Sequence, residues 1–172
     1  MKTVDATFEV VKEKFSIIYE AVNCYEASHH LSDWEFTDNH KGGVTIKNPN
    51  YQHNQFKYAI PLRYSLKQLS SDYAKQGREN PSQEAYISLQ KELERDLEAS
   101  EYSLSAKVVD ANGNTVLDSF YLGYAFDWCY SDGDDLEDRL KEEVSDADAD
   151  AESEVMERLE ALKDSMMNIF DI

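Results

Sequence analysis

The sequence lacks the short motifs that tie a chain of this size to a known chemistry. Its 172 residues contain no phosphate-binding P-loop, no dinucleotide-binding glycine fingerprint, no nucleophile elbow and no His-Glu-x-x-His zinc motif. Carboxylates are abundant, but no pair of them stands out in an apolar setting as a general acid and base. We therefore expect a protein that is not an enzyme, with no catalytic residues and no cofactor.

Cysteine and long apolar runs are also scarce. The two cysteines, Cys24 and Cys129, cannot build a disulfide framework. No apolar run reaches the length of a membrane span, and the first residues, in which Lys2 is followed by Val4 and Asp5, do not resemble a signal peptide. These features predict a cytoplasmic protein with no membrane partner.

Positive charge is scarce relative to negative charge. The chain has 17 lysines and arginines against 35 aspartates and glutamates, which gives a net charge of −18. Such a surface disfavours direct binding to nucleic acid or to anionic membranes and favours a basic protein partner. Hydrophobic residues make up 41% of the chain and aromatic residues 12%, which predicts an ordered core rather than a disordered chain.

Hydrophobic periodicity predicts an α+β fold. We expect a mostly antiparallel sheet of about 4–5 strands packed against an N-terminal helix and a central helix, with an acidic helical C-terminal segment. The expected division is an α+β domain over 1–130 and an acidic helical extension, packed on that domain, over 131–172.

The N-terminal helix is predicted from an apolar series with alternating spacings of 4 and 3. The series is Val4, Phe8, Val11, Phe15, Ile18, Val22 and Tyr25. This spacing keeps side chains on one face of a helix, which we place at 4–28. The helix would be an ordinary core helix or a coiled-coil seam, paired with the C-terminal helix or with a second copy of the chain.

The rest of the core is predicted from shorter patterns. The expected strands are 34–36, 44–46, 55–60, 101–109 and 115–128, and the expected helices are 66–75 and one that begins at Pro81. Asn112 and Gly113 predict a tight hairpin between the last two strands, because this pair accepts positive φ.

The C-terminal segment carries a second apolar seam. It consists of Val155, Leu159, Leu162, Met166 and Ile169, preceded by Leu136, Leu140 and Val144, with Ala147 and Ala151 between the two groups. The spacing allows one helix from 134 to 170, or two helices hinged at Ser145 and Asp146. We favour two helices, because serine and aspartate are good N-caps.

The same segment is densely acidic. Sixteen acids and four bases lie between Asp132 and Asp171, so this segment holds −12 of the net charge. Fourteen of the acids would lie along roughly 55 Å of helix, one per roughly 4 Å, close to the roughly 3.4 Å between phosphates along a DNA strand. The candidate partner-binding residues are Asp134, Asp135, Glu137, Asp138, Glu142, Glu143, Asp146, Asp148, Asp150, Glu154 and Glu157.

This charge pattern predicts an interaction protein of the DNA-mimic type. Its carboxylates would block the basic surface of a nucleic-acid-binding protein or nuclease, as in anti-restriction, anti-CRISPR, immunity or antitoxin proteins. The alternative is a structural or assembly protein that forms a helical homodimer, in which the acids serve solubility only. A third possibility is that the acidic segment docks on the chain's own basic cluster of Lys57, Arg63, Lys67, Lys75 and Arg78.

Two patterns could bind metal ions. The residues Asp146, Asp148, Asp150, Glu152, Glu154 and Glu157 fall on the ligand positions of an EF-hand loop, but Ala151 occupies the position that needs glycine. The cluster of His29, His30, His40 and His53 with Cys24 and Asp33 matches no zinc-binding spacing. We predict no metal site, and leave calcium binding by the acidic tract open.

Overall fold

Residues 2–49 and 56–170 are described by a computed structural model, and their contacts group into two units. Unit 1 comprises Met1–Glu26 and Glu101–Ile172, and unit 2 is Ala27–Ser100. The described residues form seven strands in antiparallel sheets and three α-helices, which confirms the α+β class. The division does not follow residue 130, because strands from both ends of the chain share the sheet of unit 1.

The N-terminal segment is a β-hairpin, so the predicted helix over 4–28 is wrong. Strand β1, Thr3–Val11, pairs antiparallel with strand β2, Phe15–Ala27. The segment is rich in valine, isoleucine, threonine and aromatic residues, which favour strands. Its inward-facing residues, including Phe8 and Tyr19, recur every second position, and some of them also fit a helical spacing. The apolar residues of this segment therefore allowed both a helical and a strand interpretation, and pairing with the rest of the sheet selects the strand.

Unit 1 is a four-stranded sheet covered on one face by a helix. Strand β6, Ser100–Asp110, and strand β7, Thr115–Trp128, complete the order β1-β2-β6-β7, with β1 and β7 at the edges. The predicted hairpin between β6 and β7 is confirmed. Gly113 takes a φ of +82° in its turn, and the Asp110 carboxylate accepts the backbone N–H of Asn114 at 2.9 Å.

Helix α3, Leu136–Phe170, is one continuous helix of 35 residues, so the preferred hinge at Ser145 and Asp146 is wrong. The two residues are good caps in isolation, but Val144 before them and Ala147 after them are buried against the sheet and keep the helical spacing unbroken. The fully or almost fully buried residues of the helix are Leu140, Val144, Ala147, Ala151 and Val155. They pack on Ile17, Tyr19, Leu104, Ala106, Val108, Leu122 and Phe126.

Unit 2 combines a small sheet with two helices. Strands β3, Trp34–Thr37, β4, Ile46–Lys47, and β5, Tyr58–Pro61, have the order β3-β5-β4, and the helices are α1, Leu66–Lys75, and α2, Pro81–Glu98. Their core contains Trp34, Ile46, Ala59, Leu89 and Leu93. The Trp34 indole N–H donates to the buried Asp96 carboxylate at 2.9 Å.

The predicted elements of unit 2 are largely present, with two differences. Both helices begin where they were predicted, at Leu66 and at Pro81. The strand predicted at 44–46 is displaced to Ile46–Lys47, and it pairs with β5, as the first predicted strand does. The start of the strand predicted at 55–60 lies outside the described residues.

The packing of α3 on the sheet gives a stability prediction. Leu140 is fully buried between α3 and the sheet, so Leu140→Ala should lower the free energy of unfolding by about 2–5 kcal/mol. Met156, on the same helix, is half exposed, and Met156→Ala should cost less than about 1 kcal/mol. Urea unfolding followed by circular dichroism measures both, and equal losses would contradict the assigned inner face of α3.

Candidate protein-binding surface

The inner face of α3 is fixed to the hairpin by a polar cluster, which we call the latch: Lys12, Tyr19, Asp148 and Glu152. The Lys12 ammonium lies 3.0 Å from the Asp148 carboxylate and 2.9 Å from that of Glu152. The fully buried Tyr19 donates its hydroxyl proton to Asp148. One lysine in the turn between β1 and β2 therefore holds two acids of α3, one helical turn apart.

The latch changes the ionisation of its own members. Burial raises the pKa of the Tyr19 hydroxyl, and the hydrogen bond to Asp148 raises it further. The hydrogen bonds that Lys12 donates to Glu152 and Asp148 raise the pKa of the ammonium. Neutral Tyr19 and charged Lys12 are therefore the forms that the folded state stabilises.

The outer face of α3 carries a row of exposed acids that we call the carboxylate ladder. Its members are Asp135, Asp138, Glu142, Asp146, Asp150, Glu157, Glu160 and Asp164. At 100° per residue they fall within a stripe of roughly 120°, opposite the buried seam. The ladder extends over roughly 44 Å, with a single gap at Ser153, and presents one carboxylate per roughly 6 Å of helix.

The ladder is sparser than the total count of acids suggested. The sequence estimate of one acid per roughly 4 Å included every acid of the segment, whichever way it faces. Asp148 instead binds Tyr19 and Lys12, beneath the helix. Glu143 and Glu154 pair on the flanks of the helix with Arg139 and Arg158, at 2.6 and 2.9 Å. The outward array therefore has about half the linear density of phosphates along one DNA strand.

Of the remaining predicted residues, Glu137 lies in line with the seam at the exposed start of α3 and Asp134 precedes the helix, whereas the others belong to the ladder. Glu137 and Asp138 share Lys141, at 3.4 and 3.7 Å, and Asp135 caps the helix by accepting the backbone N–H of Asp138. Asp134 is exposed just before α3 begins. Such exposed pairs are weak, so these carboxylates remain available to a stronger cationic partner.

The ladder continues past the predicted residues. Glu160 and Asp164 belong to it but were not predicted, although the sequence places Glu160 three residues after Glu157 and Asp164 four residues after Glu160. Within residues 2–49 and 56–170, no ion pair involves Asp146, Glu157, Glu160 or Asp164. The charges of these four ladder members are therefore not neutralised by a neighbouring base.

Among the residues that the structure describes, neither metal pattern brings its members together. The tract from Asp146 to Glu157 is helical throughout, so its acids project in all directions and the EF-hand hypothesis is wrong. His30 lies 3.4 Å from Asp33, and His53 is outside the described residues. In the described part of the chain, no three histidine, cysteine or acidic side chains come together in a group that could hold a metal ion.

Negative charge is concentrated in one unit. Unit 1 has 25 acids and eight bases, a net charge of −17, whereas unit 2 has ten acids and nine bases, a net charge of −1. The basic cluster that the sequence suggested as a dock for the acidic segment lies in unit 2. Within that unit, Arg63 pairs with Asp33 and Arg78 with Glu84. Within unit 1, Lys12 is the lysine of the hairpin that binds acids of α3.

Comparison with known proteins assigns no family. The chain matches no protein-family model, no curated protein and no solved structure. None of the described helices combines the length and apolar character that crossing a membrane requires.

The latch predicts a loss of stability at alkaline pH. In the unfolded chain Tyr19 and Lys12 titrate near their ordinary pKa values of 10.0 and 10.5, and both pKa values are higher in the folded state. Their contribution is therefore complete below about pH 10 and is lost as the pH rises through the folded values. Tyr19→Phe should cost about 1 kcal/mol at neutral pH and make the alkaline loss shallower.

Urea midpoints measured from neutral pH to strongly alkaline pH test this prediction. Lys14→Met is the control for a change in the same turn outside the latch, because Lys14 is close to Lys12 in sequence but is exposed and has no partner in the latch. It should leave both the midpoint and its pH dependence unchanged. An identical alkaline profile for the wild type and Tyr19→Phe would show that the hydroxyl does not hold α3.

Proposed function

We propose that the protein is an acidic inhibitor that blocks the basic nucleic-acid-binding surface of another protein. The observation that carries the proposal is the carboxylate ladder, held outward on one continuous helix. Carboxylates accept charge-assisted hydrogen bonds from lysine and arginine as phosphates do. A row of them can therefore occupy the cationic groove in which a nucleic acid strand would lie, without itself being nucleic acid.

The packing of α3 supports this role. The ladder lies opposite a seam that is buried in the core, and the latch fixes the rotation of the helix about its own axis. The carboxylates are thus ordered before binding, so less conformational entropy is lost on association than with a disordered acidic tail. A solubility role alone would not require the acids to be held in register.

The uneven charge of the two units also supports the proposal. With a net charge of −17 on unit 1 and −1 on unit 2, the electrostatic field is strongest around the unit that bears the ladder. Such a field speeds encounter with a basic surface and repels nucleic acid. The expected targets are restriction enzymes, CRISPR nucleases and toxin nucleases that act in the cytoplasm.

The alternative hypothesis of a helical homodimer is no longer supported. It relied on an N-terminal helix, and that segment forms strands β1 and β2, of which β2 is interior to the sheet. An assembly role through the N-terminal seam is therefore not proposed.

Neutralising the middle of the ladder tests the function. The triple variant Glu142→Gln, Asp146→Asn, Asp150→Asn should weaken inhibition of the target nuclease about tenfold, because three charge pairs of roughly 0.5 kcal/mol each are lost. The assays are DNA cleavage by a Cas9–guide RNA complex and by a type I restriction enzyme, and direct binding to each at several salt concentrations. Wild-type binding should weaken as salt rises.

The matched control removes the same charge elsewhere. Glu13→Gln, Glu79→Gln, Glu94→Gln changes three exposed acids outside α3 and should leave inhibition within about twofold of wild type, because distant exposed charges are screened. Equal losses of inhibition in the two triple variants would show that inhibition depends on net charge and not on the position of the acids in the ladder. Absence of inhibition and binding in both nuclease systems, or binding that ignores salt, would count against the proposal.

A further inference from the structure

The C-terminal end of α3 extends beyond the sheet that buries the rest of its apolar seam. Val155 is 0% exposed, Leu162 is 37% exposed and Ile169 is 75% exposed, although all three lie on the same apolar seam. The seam keeps its helical spacing for four turns after Val155. Leu159 still packs against the edge of the core, and beyond it the seam is only partly covered. The sequence thus maintains an apolar helix face over a length that unit 1 leaves partly uncovered.

This exposed end forms a groove with the beginning of β7. Its apolar lining includes Val116, Leu159, Leu162, Met166 and Phe170. All of the methionines other than Met1, namely Met156, Met166 and Met167, lie on this part of the helix and are exposed. Methionine is flexible and polarizable, and it is common on surfaces that adapt to an apolar partner.

Acids border the groove where it meets the ladder. Glu157 and Glu160 line the adjoining surface together with Met156 and Lys163, and the ladder member Asp164 follows. Lys163 has no ion pair within residues 2–49 and 56–170, and its aliphatic stem lines both parts of the surface. The groove therefore has an apolar floor, a predominantly acidic edge and continuity with the ladder.

The charges beside the seam argue against a second copy of this chain as the occupant. An antiparallel pair that matched Leu159 with Ile169 and Leu162 with Met166 would bring Lys163 against Lys163 of the other copy. A parallel pair would set Arg158 of one copy against Lys163 of the other. Both arrangements oppose like charges, in addition to the repulsion between two strongly acidic units.

We propose that this groove binds a basic amphipathic helix of a partner protein. The apolar face of such a helix would cover the floor of the groove, and its lysines or arginines would reach Glu157, Glu160 and the ladder. The inference deepens the proposed function and rests on it for the identity of the partner. The protein would compete with nucleic acid for the partner's cationic groove. The apolar contact would be an additional contact that nucleic acid does not make there.

A designed peptide tests the groove directly. The probe is a synthetic helix-forming peptide of leucine and lysine with its leucines on one helical face, and polylysine is the comparison that lacks that face. The double variant Leu162→Ser, Met166→Ser should lose about tenfold or more in affinity for the amphipathic peptide at both low and high salt. Its affinity for polylysine should stay unchanged, because its charges are unchanged.

The control variant removes exposed apolar side chains outside the groove. Val4→Ser, Val11→Ser changes two exposed residues of β1 and should keep the wild-type affinity for both probes. Circular dichroism of each variant checks that α3 is intact. Calorimetry at each salt concentration separates the apolar contribution, which is insensitive to salt, from the ladder contribution, which weakens with salt.

Three results would overturn the inference. They are equal affinity of the wild type for both probes, full retention of peptide binding in the double variant, or a wild-type dimer in sedimentation that the double variant dissociates, which would make a second copy the occupant. Peptide binding through the groove without any nuclease inhibition would instead contradict only the proposed function. Nuclease inhibition that persists in the double variant would contradict only the proposed role of the groove.

Discussion

The burial of one helix face on one sheet face is the interaction on which the rest of this structure depends. The seam of α3 from Leu140 to Val155 packs on residues from all four strands of unit 1, including Phe8, Leu104 and Phe126. This contact makes a single helix out of a segment so acidic that charge repulsion alone would disfavour its folding. The side of the helix turned away from the sheet, and therefore the direction of every carboxylate, follows from it.

The latch refines what the apolar contact begins. Apolar burial tolerates rotation of a helix by several degrees, whereas the Lys12 ammonium must lie between two particular carboxylates. The buried Tyr19 hydroxyl adds a directional hydrogen bond to one of them. Two acids are thereby used for internal positioning, and the remainder of the outer face is left for a partner. A count of charges in the sequence cannot separate these two uses.

The elements predicted correctly were those with local stop and start signals. Helix α2 begins at the Asn80–Pro81 start signal, and the Asn112–Gly113 turn fixes the hairpin of β6 and β7. The N-terminal hairpin lacks any such signal: its turn over 12–14 contains neither glycine nor proline nor asparagine. The apolar spacing of this segment fits both a helix and a strand. The strand is selected by pairing with β6, which is far away in the sequence.

The sequence by itself determined the α+β class, the concentration of negative charge near the C-terminus and the apolar seam within it, because composition and short-range periodicity survive in any arrangement of the chain. Only the tertiary structure decided that Thr3–Val11 and Phe15–Ala27 pair as strands, that α3 does not break at Ser145, and which acids face outward. Those outcomes depend on contacts between residues far apart in the sequence, such as Lys12 with Asp148. Such contacts leave no local pattern from which they could be read.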